Sequence, residues 1–450
     1  MMPDKAHLFW EKHCRSIDFH LLMTLLSRSW AVLAGAITLV ILPIGLNPSQ
    51  QGFYFTFANL LALQIFLELG LSQIIVQLIS HETAHLKRDD LGRWVGSDIH
   101  IGRLAALQKL FNRWYSAAAL AFVVLVGFAG WVFFKLRSTD SSIDWLGPWL
   151  VVVLAAGLNL WSNPGLATNE GLGNVGQVAR LRLIQSVIGY SLLWLGLLSG
   201  IGLWCSVAVP VCSGLISWYW LRTQGRIPRW SEQQNASRLL SWRAEIFPLQ
   251  WRMAVSWICG YLIFNVFTPL VFSVWGAQEA GRLGMALLAF SSITAIGMSW
   301  VNAKFPVMSQ HVARGERVEL NQLFQTSMWQ ALAFNTIGSA SFIALVVVLG
   351  HFDVVWVKRL ASLEILIVLA VVCLVNTLVF SMASYMRAHQ KEPMLPVSFV
   401  SAFLTIASML ILQTSIFHMI LGYAAICLFV SLPWTIILYK RYLRPSVSHR

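Results

Sequence analysis

Residues 183–221 run for 39 positions without a single Asp, Glu, Lys or Arg. No surface of a water-soluble domain accommodates such a run. One helix of that length would reach about 58 Å, nearly twice the ~30 Å hydrocarbon core of a bilayer. The stretch therefore reads as two membrane spans turning at Ser199-Gly200-Ile201-Gly202. Residues 394–439 repeat the pattern and turn at Gln413-Thr414-Ser415. The same reasoning along the chain places further spans at 21–46, 53–79, 114–136, 146–168, 251–275, 283–303, 326–350 and 362–386, twelve in all. Composition agrees: 57% of the 450 residues are hydrophobic, 11% are charged, and the mean hydropathy is +0.67. Soluble domains carry about 25% charged residues. A soluble enzyme and a disordered chain are both excluded, and an all-α polytopic membrane protein remains. The apolar run from Leu21 is longer than the core of a cleavable signal, so it reads as an uncleaved first span.

Charge orients the map. With the N-terminus in the cytoplasm, the inside segments hold 26 of the 32 Lys and Arg, and the outside segments hold five: Lys135, Arg137, Arg282, Lys358 and Arg359. This asymmetry obeys the positive-inside rule and needs an even number of spans, so both termini are expected in the cytoplasm. The net charge of +13 is then a topology signal. Nucleic acid is not an expected partner, because no basic run alternates with aromatics on a water-facing surface. Trp145, Trp149, Trp218 and Trp220 read as interface anchors.

Motifs for soluble chemistry are missing. Five of the six cysteines lie in apolar runs and no two form a CxxC, so neither disulfide nor metal site is expected. His81 and His85 are spaced i, i+4 beside a charged loop and read as solvated side chains rather than metal ligands. Gly171-Leu172-Gly173-Asn174-Val175-Gly176 matches GxGxxG but lies between membrane helices without a preceding strand, which rules out a dinucleotide site. Asn235-Ala236-Ser237 is a glycosylation sequon on the cytoplasmic side. No nucleotide-binding loop, nucleophile triad or paired-carboxylate site outside the membrane is visible. The chain is expected to be no enzyme and to need no cofactor.

The two halves resemble each other. An offset of 229 aligns Gly52 with Gly281, Ser80 with Ser309 and Ala84 with Ala313. Before the turn the offset is smaller and sets Arg28 opposite Arg252 and Pro43 near Pro269. The expected organisation is a six-helix bundle over 1–221, a cytoplasmic linker over 222–250 and a second bundle over 251–450. Parallel repeats of this kind occur in secondary transporters, with the substrate path between the halves. The competing reading is chance agreement between two apolar, Gly-rich hairpins.

A few polar residues inside spans are candidates for function. Arg28 lies on a small-polar stripe with Thr24, Ala31, Gly35 and Thr38, facing a wet cavity or snorkelling to the headgroups. Gln64, Glu68 and Ser72 follow at i, i+4, i+8. Glu68 is the acidic residue well inside a span, a candidate proton site or a structural partner in an ion pair or hydrogen bond. Arg252, Ser256 and Gly260 share a face in span 7, with Arg252 at the cytoplasmic edge. Ser292, Ala295, Ser299 and Asn302 form another small-polar stripe. Asn376 is a lone amide in span 10, and Tyr385 lies near its cytoplasmic end.

Ser27-Arg28-Ser29-Trp30, Gln51-Gly52-Phe53-Tyr54-Phe55-Thr56-Phe57, Phe66-Leu67-Glu68-Leu69-Gly70, and Glu170-Gly171-Leu172-Gly173 with Val178-Ala179-Arg180-Leu181-Arg182 resemble segments of the polysaccharide-biosynthesis (O-antigen, Wzx-type) flippases. These belong to the multidrug/oligosaccharidyl-lipid/polysaccharide (MOP) exporter superfamily. The resemblance implies two six-helix bundles in a V shape. It implies movement of an undecaprenyl-pyrophosphate-linked oligosaccharide across the bacterial inner membrane, coupled to H+ or Na+. Cationic cavity residues in such flippases engage the pyrophosphate, a role that Arg28 and Arg252 are placed to fill. Gln64, Ser256 and Asn376 complete the expected substrate set, and Glu68 is the expected ion-coupling residue. The alternative is a small-molecule or drug:cation antiporter of the same superfamily. A membrane polymerase or ligase is disfavoured by the short outside loops.

Overall fold

A computed structural model describes residues 33–89, 94–138, 142–225, 242–389 and 393–443, with a few positions between 23 and 30. Arg28, Thr24, Ala31, Cys14 and the Asn235 sequon lie outside the described residues. The rest is helical except for one hairpin, β1 (Leu86–Arg88) and β2 (Trp94–Gly96), paired antiparallel with Lys87 opposite Val95. The helices are α1 (Leu33–Gly45), α2 (Pro48–Glu68), α3 (Leu71–Thr83), α4 (Asp98–Arg137), α5 (Leu146–Gly171), α6 (Val175–Leu198) and α7 (Ala208–Thr223). They continue as α8 (Phe247–Phe264), α9 (Phe267–Trp275), α10 (Ala277–Arg314), α11 (Arg317–His351), α12 (Leu363–Ala388), α13 (Leu395–Ile411) and α14 (Ile416–Leu443). Among the described residues nine helices are long and apolar enough to cross a membrane, ten when the bent pair α2–α3 counts as one span, and α1 and α13 are shorter apolar helices. The protein is an all-α, multi-pass membrane protein, consistent with about twelve spans.

The turns of both long apolar stretches fall where the sequence puts them. After α6, Gly200 and Gly202 take positive φ angles of 74° and 62°, which glycine adopts without a Cβ penalty. After α13, the Ser415 side chain caps α14 by accepting from the His418 N–H at 3.2 Å.

The chain divides into two compact units. Unit 1 holds the described residues up to Ala34 and Leu60–Ala254, and unit 2 holds Gly35–Asn59 and Val255–Arg450. The hairpin of α1 and the start of α2 thus groups with the C-terminal half, not with the bundle over 1–221 that hydropathy assigns it to. Its contacts give the reason. Gln51 Nε2 donates to the Gly281 carbonyl at 2.8 Å and to the Arg359 carbonyl at 3.2 Å. Trp356 Nε1 donates to the Leu39 carbonyl at 3.0 Å, and Tyr261 Oη to the Asn59 carbonyl at 3.2 Å. Gly52 and Gly281, the pair that the 229-residue offset aligns, abut each other: a Cβ on Gly281 would lie 2.8 Å from Gly52 N. Hydropathy registers none of these contacts, because they depend on close glycine approach and on single amide, indole and phenol donors.

Unit 1 is packed around α5. Trp149 is fully buried and donates from Nε1 to the Gly127 carbonyl at 3.1 Å. Its ring fills the space that a Cβ on Gly130 would take, so it is a core residue and not the interface anchor its position suggested. Gln185 ties α6 to α7 through Ser217 Oγ at 2.6 Å and the Ser213 carbonyl at 3.1 Å. In unit 2, α10, α11 and α12 form the centre. The buried Asn335 donates to Thr377 Oγ1 at 2.5 Å, and Gly297 makes room for its amide.

The span expected over 53–79 is broken. Leu69 and Gly70 both adopt left-handed backbone, φ 50° and 72°, and the helix bends by 44° between α2 and α3. A non-glycine residue in this region carries strain. Glu68 is the last residue before the break, so the straight i, i+4, i+8 face through Gln64, Glu68 and Ser72 does not exist as such. Gln64 instead closes a 3-10 turn, Ala62–Gln64.

The described residues of 80–113, expected as a charged loop, are mostly in regular structure. α4 begins at Asp98, well before its apolar part, and carries His100 and Arg103 against the end of α3. Glu82 is buried; His100 Nδ1 lies 2.7 Å from its Oε2, and Arg103 Nε donates to its Oε1 at 2.8 Å. Arg103 Nη2 also donates to Glu245 Oε2 at 2.6 Å. His85 stacks on His100 with centroids 4.5 Å apart and meets His81 at 5.6 Å; both His81 and His85 are exposed, as solvated side chains are.

Burial alone would raise the Glu82 carboxyl. The hydrogen bonds from His100 and Arg103, and then their charges, outweigh it and hold the group below the ordinary carboxylate range. Such a group contributes stability above its unfolded value and loses it as pH falls through the folded one. Glu82→Gln is therefore expected to destabilise the purified protein by about 2 kcal/mol at neutral pH. The gap to wild type narrows below about pH 4. Thermal unfolding across that pH range checks both parts; a variant as stable as wild type at neutral pH contradicts them.

Candidate functional site

Unit 1 contains a polar cavity of about 290 Å³ at the α2–α3 break, lined by Glu68, Ser72, Gln73, Asn163, Glu170 and Arg182. Glu68 is buried and accepts from Tyr115 Oη at 3.4 Å and from the Ser72 hydroxyl. Glu170, in the last turn of α5, pairs with Arg182 of α6 at 2.9 Å. The turn over 172–174, with Gly173 at φ 90°, brings these two residues side by side. That turn is the GxGxxG match, and it joins two helices, with no βαβ unit around it. Two carboxylates and one guanidinium leave one acidic group without a cationic partner of its own. Such a set has the chemistry to take up a proton or a small cation.

Unit 2 contains a larger cavity of about 690 Å³. Phe55 and Asn59 of α2, residues 263–268 where α8 passes into α9, α10, α12 and Tyr423 of α14 form its wall. Gly284 permits the close approach of the Phe55 ring, since a Cβ there would meet Phe55 Cγ at 2.5 Å. The polar lining is Asn59, Asn265, Thr268, Ser291, Thr294, Asn302, Asn376, Ser384 and Tyr423, with Arg387 as a cation, among the rings of Phe264, Phe267, Phe290 and Phe380. None of the lining residues is acidic. Asn376 Nδ2 donates to Tyr423 Oη at 3.3 Å, and Tyr423 packs on Phe267 with centroids 5.1 Å apart. A second cavity of about 190 Å³ shares Asn376, Phe380, Arg387 and Tyr423 and adds Ser256, Gly260 and Ser401.

The residues singled out from the sequence fare differently. Ser256 and Asn376 line one cavity, and Glu68 lines the cavity in unit 1. Ala295 and Asn302 of the span 8 stripe line the larger cavity; Ser292 bonds back to the Leu288 carbonyl. Arg252 is exposed, with its guanidinium 5.6 Å from the centre of the Trp251 ring, and lines none of these three cavities. Gln64 lines none of them either. Tyr385 donates to Asn321 Oδ1 at 2.7 Å and is buried against Phe324 and Tyr439, which makes it a packing residue. Sequence reasoning missed Arg387 and Arg182, both counted as cytoplasmic topology charges. It also missed Tyr423, whose hydroxyl meets the lone amide of Asn376.

No family model and no curated protein matches the chain. Solved structures do. One is described as the inward-facing conformation of a multidrug resistance MATE family transporter of the MOP superfamily. It superposes with a TM-score of 0.65 at 12% identity, covering 95% of this chain and 99% of that one. The lipid II flippase MurJ, in an inward closed conformation, gives a TM-score of 0.60 at 14% identity over 94% of this chain and 87% of its own. A MOP superfamily transporter from Pyrococcus furiosus, described as having a binding pocket of reverse polarity, gives 0.51 at 13% identity over 95% and 96%. The chain thus shares its fold with these solved transporters.

Proposed function

We propose that the protein moves a lipid-linked oligosaccharide, carried on undecaprenyl pyrophosphate, across the bacterial inner membrane by ion-coupled alternating access. Both termini face the cytoplasm in this reading. The observation that carries it is the lining of the unit 2 cavity. Amides, hydroxyls and aromatic rings suit a polyhydroxylated glycan, which takes many neutral hydrogen bonds and stacks its apolar faces on rings. The cation Arg387 suits a phosphate-bearing cargo, and a cationic drug finds no carboxylate among the lining residues. Asn376, Ser256 and Gln64 act as cargo contacts in this reading. Arg28 and Arg252 attract the pyrophosphate at the cytoplasmic mouth. Glu68 binds the coupling H+ or Na+.

A second reading, a drug:cation antiporter, draws on the likeness to the multidrug transporter fold and on the aromatic lining. Two assays separate them. A deletion strain is expected to lose its surface polysaccharide and to regain it from a plasmid copy, while expression in a pump-deficient host leaves drug resistance unchanged. Arg387→Gln is expected to lower polysaccharide export about tenfold or more, the effect of one lost charge-assisted contact. Drug resistance conferred by the chain, with normal polysaccharide in the deletion strain, overturns the flippase reading.

A further inference from the structure

Gly260 is a glycine that packing does not ask for. It lies within α8, where glycine weakens a helix relative to alanine. Other helical glycines of unit 2 make room for a neighbour. A Cβ would strike the Phe55 ring at Gly284, the Asn335 amide at Gly297 and the Ser408 hydroxyl at Gly422. A Cβ on Gly260 meets nothing within 4 Å, and the residue does not take a positive φ angle. The space it leaves open is the smaller cavity of unit 2, about 190 Å³. Ser256, one turn before Gly260, and Ile263 and Phe264, one turn after it, line the same cavity. Positions i−4, i+3 and i+4 share a helix face, so a side chain at 260 would enter the cavity with them. The rest of the wall includes Ser398 and Ser401 of α13, Ser431 of α14, and Tyr423 with its donor Asn376. Phe264, Phe380 and Arg387 line this cavity and the larger one alike, so the two adjoin. Pockets for whole ligands of drug size span about 300–1,000 Å³. The smaller cavity therefore suits one group of a larger cargo.

We infer that the smaller cavity is a subsite for one sugar residue of the cargo, and that Gly260 sets the bulk of the residue it admits. A sugar ring offers hydroxyls to the serines, to Tyr423 and to Asn376, each of which can donate or accept. Its apolar faces meet the rings of Phe264 and Phe380. Any side chain longer than hydrogen at position 260 takes space from that ring. Gly260 is thus a specificity-determining residue, kept at some cost to α8. That the group is a sugar rests on the flippase reading above; the size limit follows from the cavity and the face of α8 alone.

The test compares Gly260→Ala, Gly260→Leu and Gly260→Phe with wild type. Surface polysaccharide is measured in the deletion strain, and thermal unfolding on the purified full-length proteins. Export is expected to fall in that order. Gly260→Phe should lie at least about tenfold below wild type, since one methylene in a fitted pocket discriminates about 10–200-fold. Unfolding temperature is expected to hold or rise, because the helix gains propensity and open space is filled. These opposite directions set occlusion apart from misfolding. Gly260→Cys adds the bulk after folding. Its export is expected to survive a methyl methanethiosulfonate and to be blocked by the benzyl reagent. Wild type treated alike accounts for Cys373 and Cys427, and this arm decides if the Leu and Phe variants do not fold. A series that exports like wild type overturns the size limit. So does a Gly260→Cys protein that takes no label, or one that works with the benzyl group attached. A Gly260→Ala protein that unfolds at lower temperature than wild type makes the glycine structural and overturns it as well. Wild type that restores no polysaccharide but confers drug resistance defeats the flippase reading, and the sugar with it. The same series read on resistance then decides the size limit separately.

Discussion

Gly52→Val is expected to unfold at markedly lower temperature than wild type and to lose transport. A Cβ at this position falls within contact distance of the Ala277 backbone carbonyl. The obstruction is main chain, so trimming a neighbouring side chain gives no relief. Overpacking in a core costs about 1–3 kcal/mol, with backbone clashes at the upper end. The Gln51 bonds to Gly281 and Arg359 depend on the same approach and are lost with it. Gly260→Ala serves as the control, since an added Cβ there meets nothing within 4 Å. Thermal unfolding of the two purified variants decides the matter. If Gly52→Val is as stable as wild type, the α1–α2 hairpin does not pack on α10 in the working protein.

Glu68→Gln is expected to insert and fold normally yet to lose the dependence of transport on an imposed pH gradient. The substitution keeps the shape of the side chain and its partners Tyr115 and Ser72, while removing the group that gains and loses a proton. Coupling free energies between sites correspond to roughly five- to 150-fold changes in affinity, and an effect in that range is expected on gradient-driven uptake into proteoliposomes. Glu170→Gln leaves Glu68 in place but frees Arg182, so it is expected to disturb the cavity without abolishing the gradient response. Unchanged gradient dependence in Glu68→Gln makes that carboxyl a structural group and removes unit 1 from the coupling scheme.

The spans were legible because hydropathy reports the solvent around a helix, and the hydrocarbon core imposes one length on all of them. The break in the second span was not. Gly70 hints at it, but Leu69 in left-handed backbone has no signature in the pattern of apolar residues. Glu68 stood out because an acidic residue in an apolar run must have a reason to be there. Asn376 stood out likewise, and its partner Tyr423 could be found only in three dimensions. Arg387 and Arg182 were hidden by the rule that made the topology readable. Counting Lys and Arg per loop assigns a residue at a span end to the loop, whichever way its side chain turns. The start of α4 was hidden for a related reason: hydropathy marks where a helix is apolar, not where it begins.

Two of the cysteines in the apolar runs give the protein a chemical handle of its own. Cys373 lines the larger cavity of unit 2 beside Thr294, with Sγ 3.1 Å from Oγ1, and Cys427 lines the smaller one. Both are buried, as are Cys205 and Cys259, whereas Cys212 is half-buried, and none of these last three lines the two cavities. Alkylation of Cys373 by a small maleimide is therefore expected to slow when cargo fills the cavity. Cargo binding becomes measurable as protection of Cys373 by peptide mass spectrometry, without any engineered cysteine.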